Sequence, residues 1–252
     1  MSTGLQDLRI AWKLACSPIR GDTHHERLES FYGHQADGYD SFRSKLLHGR
    51  QELIESLEFP DDGVWVDLGA GTGENVLHAG SSRDRLAEIR LVDLSPSLLA
   101  VANQRIIDNG WTNVTTAHAD ATSSLLPNAS VDVVTLSYSL TMIPDWFAAI
   151  TKAYEMLKPG GVIGVADFFV SRKFACFGQT QHGWLRRTFW TQWFAMDNVF
   201  LDGNHIAMLH RTFDVESFSC HEGTVPYLPR LRAPYYRFIG RKKQRERSLS
   251  DA

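Results

Sequence analysis

The chain has 252 residues, 43 % apolar and 22 % charged, with a formal net charge of −3. These values exclude a disordered, fibrous or membrane-embedded protein and fit one large domain or two small ones. Its three cysteines, Cys16, Cys176 and Cys220, are odd in number and far apart, which excludes a disulfide framework and zinc-ligand spacing.

The opening Met1-Ser2-Thr3-Gly4 lacks a basic run followed by an apolar stretch, and no segment approaches the roughly 20 apolar residues of a membrane span, so a cytoplasmic protein is expected. Residues 5–58 read as helical and are expected to form a cover (1–58) over a domain at 59–252. Within it Leu5, Leu8, Trp12 and Ala15 recur at helical spacing with Arg9, Lys13 and Arg20 nearby.

From Val64 to Val170, apolar strand runs alternate with helical patterns, the rhythm of a parallel sheet covered on both faces. The strand runs are Val64–Val66, Glu88–Val92, a weaker Val114–Ala117, Val131–Leu136 and Val162–Ala166. Ser95-Pro96 and Pro144-Asp145 start helices, and Leu157-Lys158-Pro159-Gly160-Gly161 ends one. An aromatic insertion at about 171–212 precedes two late strands, near Ser217–Cys220 and Tyr235–Ile239, joined by a link at Pro226–Pro229. The expectation is a three-layer αβα sheet protein, mostly parallel and seven-stranded, with an antiparallel C-terminal strand pair. It ends in a tail in which Arg241, Lys242, Lys243, Arg245 and Arg247 surround one acid, Glu246.

The chemistry concentrates in Val66-Asp67-Leu68-Gly69-Ala70-Gly71-Thr72-Gly73, a strand running into a glycine turn and then a helix. Glycines let the backbone approach a ligand and let the helix N-terminus point at it. A dinucleotide fingerprint needs Gly-x-Gly-x-x-Gly, but Glu74 stands at its third glycine. Asp67 beside the turn repels a diphosphate and favours the ammonium end of an amino-acid cofactor. Asp93 closes the second strand, where an acid accepts from ribose hydroxyls, and Asp120-Ala121 follows the third, where a carboxylate can accept from an adenine amine.

On these residues the chain resembles the class I S-adenosylmethionine-dependent methyltransferases over roughly residues 60–170. The resemblance implies the Rossmann-like fold of that class and S-adenosyl-L-methionine as cofactor. Its binding residues would be Asp67, Gly69, Ala70, Gly71, Gly73, Asp93, Leu94, Asp120, Ala121 and Ser137.

A narrower resemblance lies outside this core. The opening segment Phe31–Arg43 with Leu46–Arg50, then Ser137–Pro144, Phe189–Ala195, Pro226–Pro229 and Pro234–Gly240, are similar to the BtaB-type N-methyltransferases of betaine lipid synthesis. That similarity implies three methylations of the amine of diacylglyceryl-homoserine, giving diacylglyceryl-trimethylhomoserine. The alternative is an N-methyltransferase for a soluble small-molecule amine; another is a catalytically dead cofactor-binding subunit.

Methyl transfer from a sulfonium to an amine is an in-line displacement that needs alignment and a water-poor site rather than a metal. The amine proton can go to Ser137, Tyr138, Ser139 or solvent, and Tyr39 and Tyr138 are the expected catalytic residues. Trp146 with these tyrosines suits a quaternary ammonium through cation–π contact. Arg43, Arg50 and Arg172 are candidates for the homoserine carboxylate.

Trp184–Phe194 holds three tryptophans beside Arg186 and Arg187, suited to a lid over the site, to a headgroup layer, or to both. The expected partner is a lipid substrate at a membrane surface, with the enzyme held peripherally on its inner face and a synthase supplying the homoserine lipid. The core shows no basic stripe for nucleic acid.

Overall fold

The structure is a computed structural model that describes residues 46–124, 126–196, 198–226 and 228–243. Tyr39, Arg43, most of the expected cover and the end of the basic tail lie outside the described residues. In chain order the elements are α1 (Arg50–Glu55), β1 (Val64–Leu68), α2 (Asn75–His78), a 3-10 turn (Gly80–Arg85), β2 (Glu88–Asp93), α3 (Pro96–Asn109) and β3 (Val114–His118). They continue with β4 (Val131–Ser137), α4 (Trp146–Met156), β5 (Leu157–Phe168), α5 (Trp184–Ala195), α6 (Asn204–Thr212), β6 (Asp214–Val225) and β7 (Leu228–Arg241).

The seven strands form one sheet in the order β3-β2-β1-β4-β5-β7-β6. β1 pairs parallel with β2 and β4, and β5 parallel with β4, whereas β7 lies antiparallel between β5 and β6. The expected seven-stranded α/β sheet with an antiparallel C-terminal pair is therefore the observed one.

Period-2 alternation decides which layer each side chain joins. Val66, Leu68, Val134, Leu136, Ile163 and Val165 face one core, completed by α4 and α6 through Ala149, Ile150, Ile206 and Leu209. Trp65, Ile89, Leu91 and Val133 face the other, with Ile54, Val76 and Ala102 from α1, α2 and α3. Leu53 and Ile54 of α1 are each only 1 % exposed. At roughly 1.5–3 kcal/mol per buried aliphatic side chain, that contact holds this short helix, which its own hydrogen bonds would not.

The local start signals work as the residues suggest. Ser95 Oγ accepts from Leu98 N at 3.3 Å with Pro96 at the first helical position, and Asp145 Oδ1 accepts from Ala148 N at 3.1 Å. Two boundaries differ from expectation. The helix ends at Leu157–Gly161 as expected, but β5, expected from Val162, already begins at Leu157, which is extended and pairs with Val131. At the Pro226–Pro229 link, Leu228 and Pro229 already belong to β7, because Leu228 pairs with Val225 of β6. Strand pairing overrides weak local propensity at both places.

Candidate active site

The carboxyl ends of β1, β2, β3 and β4 surround a cavity of about 240 Å³. One wall is Gly69, Gly71, Asp93, Leu94, Asp120 and Ala121; the other is the stretch after β4, with Tyr138, Ser139, Met142, Ile143, Pro144 and Asp145. An open α/β sheet places its ligand crevice at this position, where the strand order reverses.

The turn after β1 is shaped by backbone conformation. Gly69, Gly71 and Gly73 have φ of 70°, 56° and 73°. Gly69 N and Ala70 N both donate to the Val92 carbonyl, at 2.8 and 3.0 Å, which pins the turn to β2. Asp93 adds a second clamp. Its Oδ2 accepts from Gly71 N at 2.8 Å and its Oδ1 from Ser95 N at 2.9 Å. One acid thus orders both loops beside the cavity. Asp120, at the exposed rim, has Oδ1 held by Thr122 N at 2.8 Å and Thr122 Oγ1 at 2.7 Å.

Asp67 plays a different part. It is fully buried, with Asn75 Nδ2 donating to both carboxylate oxygens (3.2 and 2.9 Å) and Thr135 Oγ1 donating at 2.6 Å. Burial raises its pKa to about 6 despite these donors. Trp65 Nε1 donates to Thr135 Oγ1 at 2.8 Å, and Arg50 donates to Asn75 Oδ1 at 3.2 Å while pairing with Glu74 at 3.0 Å. Asp67 is thus the internal anchor of a network that ties α1 and α2 to the floor of the turn, and Arg50 belongs to that network. Neither residue lines the cavity.

The other expected substrate residues are also placed elsewhere. Trp146 packs in the core against Phe147 and edge-on to His205, and Arg172 Nε donates to Asn204 Oδ1 at 2.7 Å on the exposed insertion. Tyr138, in contrast, borders the cavity. It has φ 56°, a strained conformation for an aromatic residue costing roughly 1–2 kcal/mol. Its N–H donates to the Ala166 carbonyl at 2.7 Å and its hydroxyl to the His48 carbonyl at 2.5 Å. Burial pushes its phenol well above the usual 10.

Asp167 is a site residue that the sequence reading missed; its only local mark is an acid at the end of an apolar strand run. Its carboxylate accepts from Thr141 N at 3.1 Å, Thr141 Oγ1 at 2.8 Å and Phe168 N at 2.8 Å, so it orders the loop that forms the second wall. Burial raises its pKa to about 7. A carboxyl whose folded pKa lies above its unfolded value stabilises the fold at low pH, and that stability is lost as pH rises from about 4 through about 7. His182 and His205, lowered by burial to about 4, act in the opposite sense. The difference between Asp167→Asn and the parent chain isolates the carboxyl. In urea unfolding the variant is expected to gain about 1 kcal/mol relative to the parent between about pH 6 and about pH 8. A constant difference across that range refutes the shift.

The cavity fits an amino-acid-bearing nucleoside. The hydroxyl oxygens of Ser137 and Ser139 are buried without a hydrogen-bond partner among the described residues, and Ser139 borders the cavity beside Gly69. Buried orphan hydroxyls cost about 1–3 kcal/mol unless a ligand completes them. With two acids spaced along the opposite wall, this donor and acceptor set suits a nucleoside carrying an α-amino acid.

Residues 66–165 match a methyltransferase-domain family. The chain is 23 % identical over 143 residues to a demethylmenaquinone methyltransferase of Anoxybacillus flavithermus, covering 55 % of this chain and 60 % of the relative. It is 28 % identical over 149 residues to the ubiquinone/menaquinone biosynthesis C-methyltransferase UbiE of Ectopseudomonas mendocina, covering 57 % and 58 %. The chain therefore spans about three fifths of the length of these relatives. Its fold is similar to that of phosphoethanolamine N-methyltransferase 2 of Haemonchus contortus, with TM-score 0.67 and 16 % identity over 89 % of this chain and 61 % of that one, in complex with phosphomonomethylethanolamine and S-adenosylhomocysteine. The same protein is also known in complex with S-adenosyl-L-methionine.

Proposed function

We propose, from the match of residues 66–165 to a methyltransferase-domain family and the seven-stranded α/β sheet around the cavity, that the chain uses S-adenosylmethionine to trimethylate the amine of diacylglyceryl-homoserine. The observation that carries the amine reading is the character of the second wall. From Tyr138 to Pro144, ahead of Asp145 at its end, it holds no charged residue, and behind it aromatic rings meet at tilted angles: Tyr138 on Phe168 at 4.6 Å, and Phe168 on Phe194 at 4.4 Å. Such a wall accepts a neutral amine and favours the ammonium that forms, because ring faces attract cations.

When bound, S-adenosylmethionine supplies a methyl group on a positively charged sulfur. Asp93 and Asp120 would hold its ribose and adenine, and Gly69, Gly71 and the Ser139 hydroxyl its amino-acid end. Tyr138 keeps its proton at neutral pH, with that proton spent on the His48 carbonyl. Its oxygen lone pairs can accept an amine N–H and so direct the nitrogen lone pair; a neutral amine has such a hydrogen in the first two rounds only. Tyr138 is therefore a positioning group, and the proton released in each round leaves to solvent through the open side of the cleft. The synthase that builds the homoserine headgroup would act before this enzyme.

A second reading, methylation at carbon of a quinol ring, is favoured by the names of the relatives. Purified protein with S-adenosylmethionine should be offered diacylglyceryl-homoserine, free homoserine and demethylmenaquinol in separate reactions, with products read by mass spectrometry. Mono-, di- and trimethylated homoserine lipid is the expected result. Methylated quinol alone, or methylated free homoserine alone, overturns the lipid-amine reading.

A further inference from the structure

The twelve-residue helix α5 has two apolar faces, and only one is used by the fold. Trp190 and Phe194 are 2 % and 4 % exposed and pack beside Phe168 and Tyr138, behind the second wall of the cavity. On the opposite side Leu185, Phe189 and Met196 are 74 %, 41 % and 63 % exposed, and Trp184 at the N-terminus is 69 % exposed. Positions 185, 189 and 196 are separated by four and seven residues and so form one stripe along the helix. Phe174, in the loop before the helix, is 76 % exposed beside Lys173. Large apolar side chains gathered on one exposed side mark an interaction surface.

The charge pattern names the partner. Between Asp167 and Asp197 there is no Asp or Glu, while Arg172, Lys173, Arg186 and Arg187 fall in that interval. Arg186 is engaged with Glu222 at 2.5 Å, but Arg172 and Lys173 are exposed. A projecting helix with tryptophan, phenylalanine and leucine on its open side, cations at its base and no Asp or Glu within residues 168–196 matches the outer layer of an anionic bilayer.

We propose that α5 and the loop before it dock the protein on an anionic lipid surface, with Trp184, Leu185, Phe189 and Met196 entering the headgroup boundary. The surface stands on its own exposure and charge; its benefit, delivery of a lipid amine to the wall behind Trp190 and Phe194, rests on the proposed function. No described helix is long and apolar enough to cross a membrane, so this is contact with one leaflet.

The test is co-sedimentation of the full chain with vesicles of phosphatidylcholine alone and of phosphatidylcholine with phosphatidylglycerol, without cofactor or acceptor. The parent chain is expected to pellet with the anionic vesicles, and Leu185→Ser with Phe189→Ser to reduce the bound fraction at least about tenfold. Ile107→Ser, which alters an exposed apolar residue on α3, should bind as the parent does. A separate readout that leaves the stripe aliphatics intact is quenching of tryptophan fluorescence by brominated acyl chains, reduced in Trp184→Phe. Parent protein that stays in the supernatant with both vesicles overturns the proposal. So does a double variant that binds undiminished, or self-association through this stripe in place of lipid binding. Methylation of detergent-dispersed homoserine lipid, assayed apart, distinguishes failure of docking from failure of the proposed reaction.

Discussion

Gly69→Ala is expected to abolish measurable S-adenosylmethionine binding and to lower the unfolding temperature. A Cβ at this position would lie 2.4 Å from Ser139 Cβ, far inside van der Waals contact, on a backbone at φ +70°. The clash is with an atom fixed to the main chain, so rotation of a flexible side chain cannot relieve it. Left-handed φ costs an alanine roughly 1–2 kcal/mol and forced overpacking roughly 1–3 kcal/mol. Together these correspond to a fall of about 5–15 °C for a domain of this size. Two loops meet at this contact, the glycine turn and the stretch after β4, and both bound the cavity. Adding Ser139→Gly should recover part of the stability by removing the clash while leaving the φ cost. Calorimetric titration and thermal unfolding of the two variants check this. Cofactor affinity unchanged in Gly69→Ala would remove the turn from the binding site.

Asp93→Ala carries the second large effect. The acid does two jobs from one position, accepting from Gly71 N and from Ser95 N at the start of α3. Hydrogen bonds to a charged group contribute about 1.5–3 kcal/mol each, and removing the carboxylate also removes the acceptor for a ribose diol. The expected loss in cofactor affinity is about 100–1000-fold, with a smaller loss in stability because Ser95 still caps α3. Asp93→Asn keeps one acceptor oxygen and should lose only about tenfold. Titration calorimetry on both variants separates the contributions. If Asn and Ala fall equally, the charge matters rather than the acceptor geometry; if neither falls, the acid does not hold the ligand.

The two acids behind the cavity wall show why residue type alone misleads. Asp67 stands next to the glycine turn, and in one dimension it reads as a ligand group. In three dimensions its carboxylate is enclosed by Asn75 and Thr135, with burial raising its pKa to about 6. Asp167 reads as an interruption in an apolar strand, and it orders the loop at Thr141 that borders the site. Arg50 belongs to the same lesson, since a cation expected to meet a substrate carboxylate is paired with Glu74 instead.

By itself the sequence determined the succession of the strands, the helix starts at Ser95 and Asp145, the glycine turn and the acids that close β2 and follow β3. Each of these depends on side-chain period or on backbone freedom within a few residues. Only the tertiary structure decided the insertion of β7 between β5 and β6, the tie of Tyr138 to the chain at His48, the hold of Asp167 on Thr141, and the open face of α5. Those features join residues 90 and 26 positions apart or depend on which side of a helix meets the sheet. No local pattern encodes them, because a hydrogen bond or a buried face exists only once the topology has brought its two sides together.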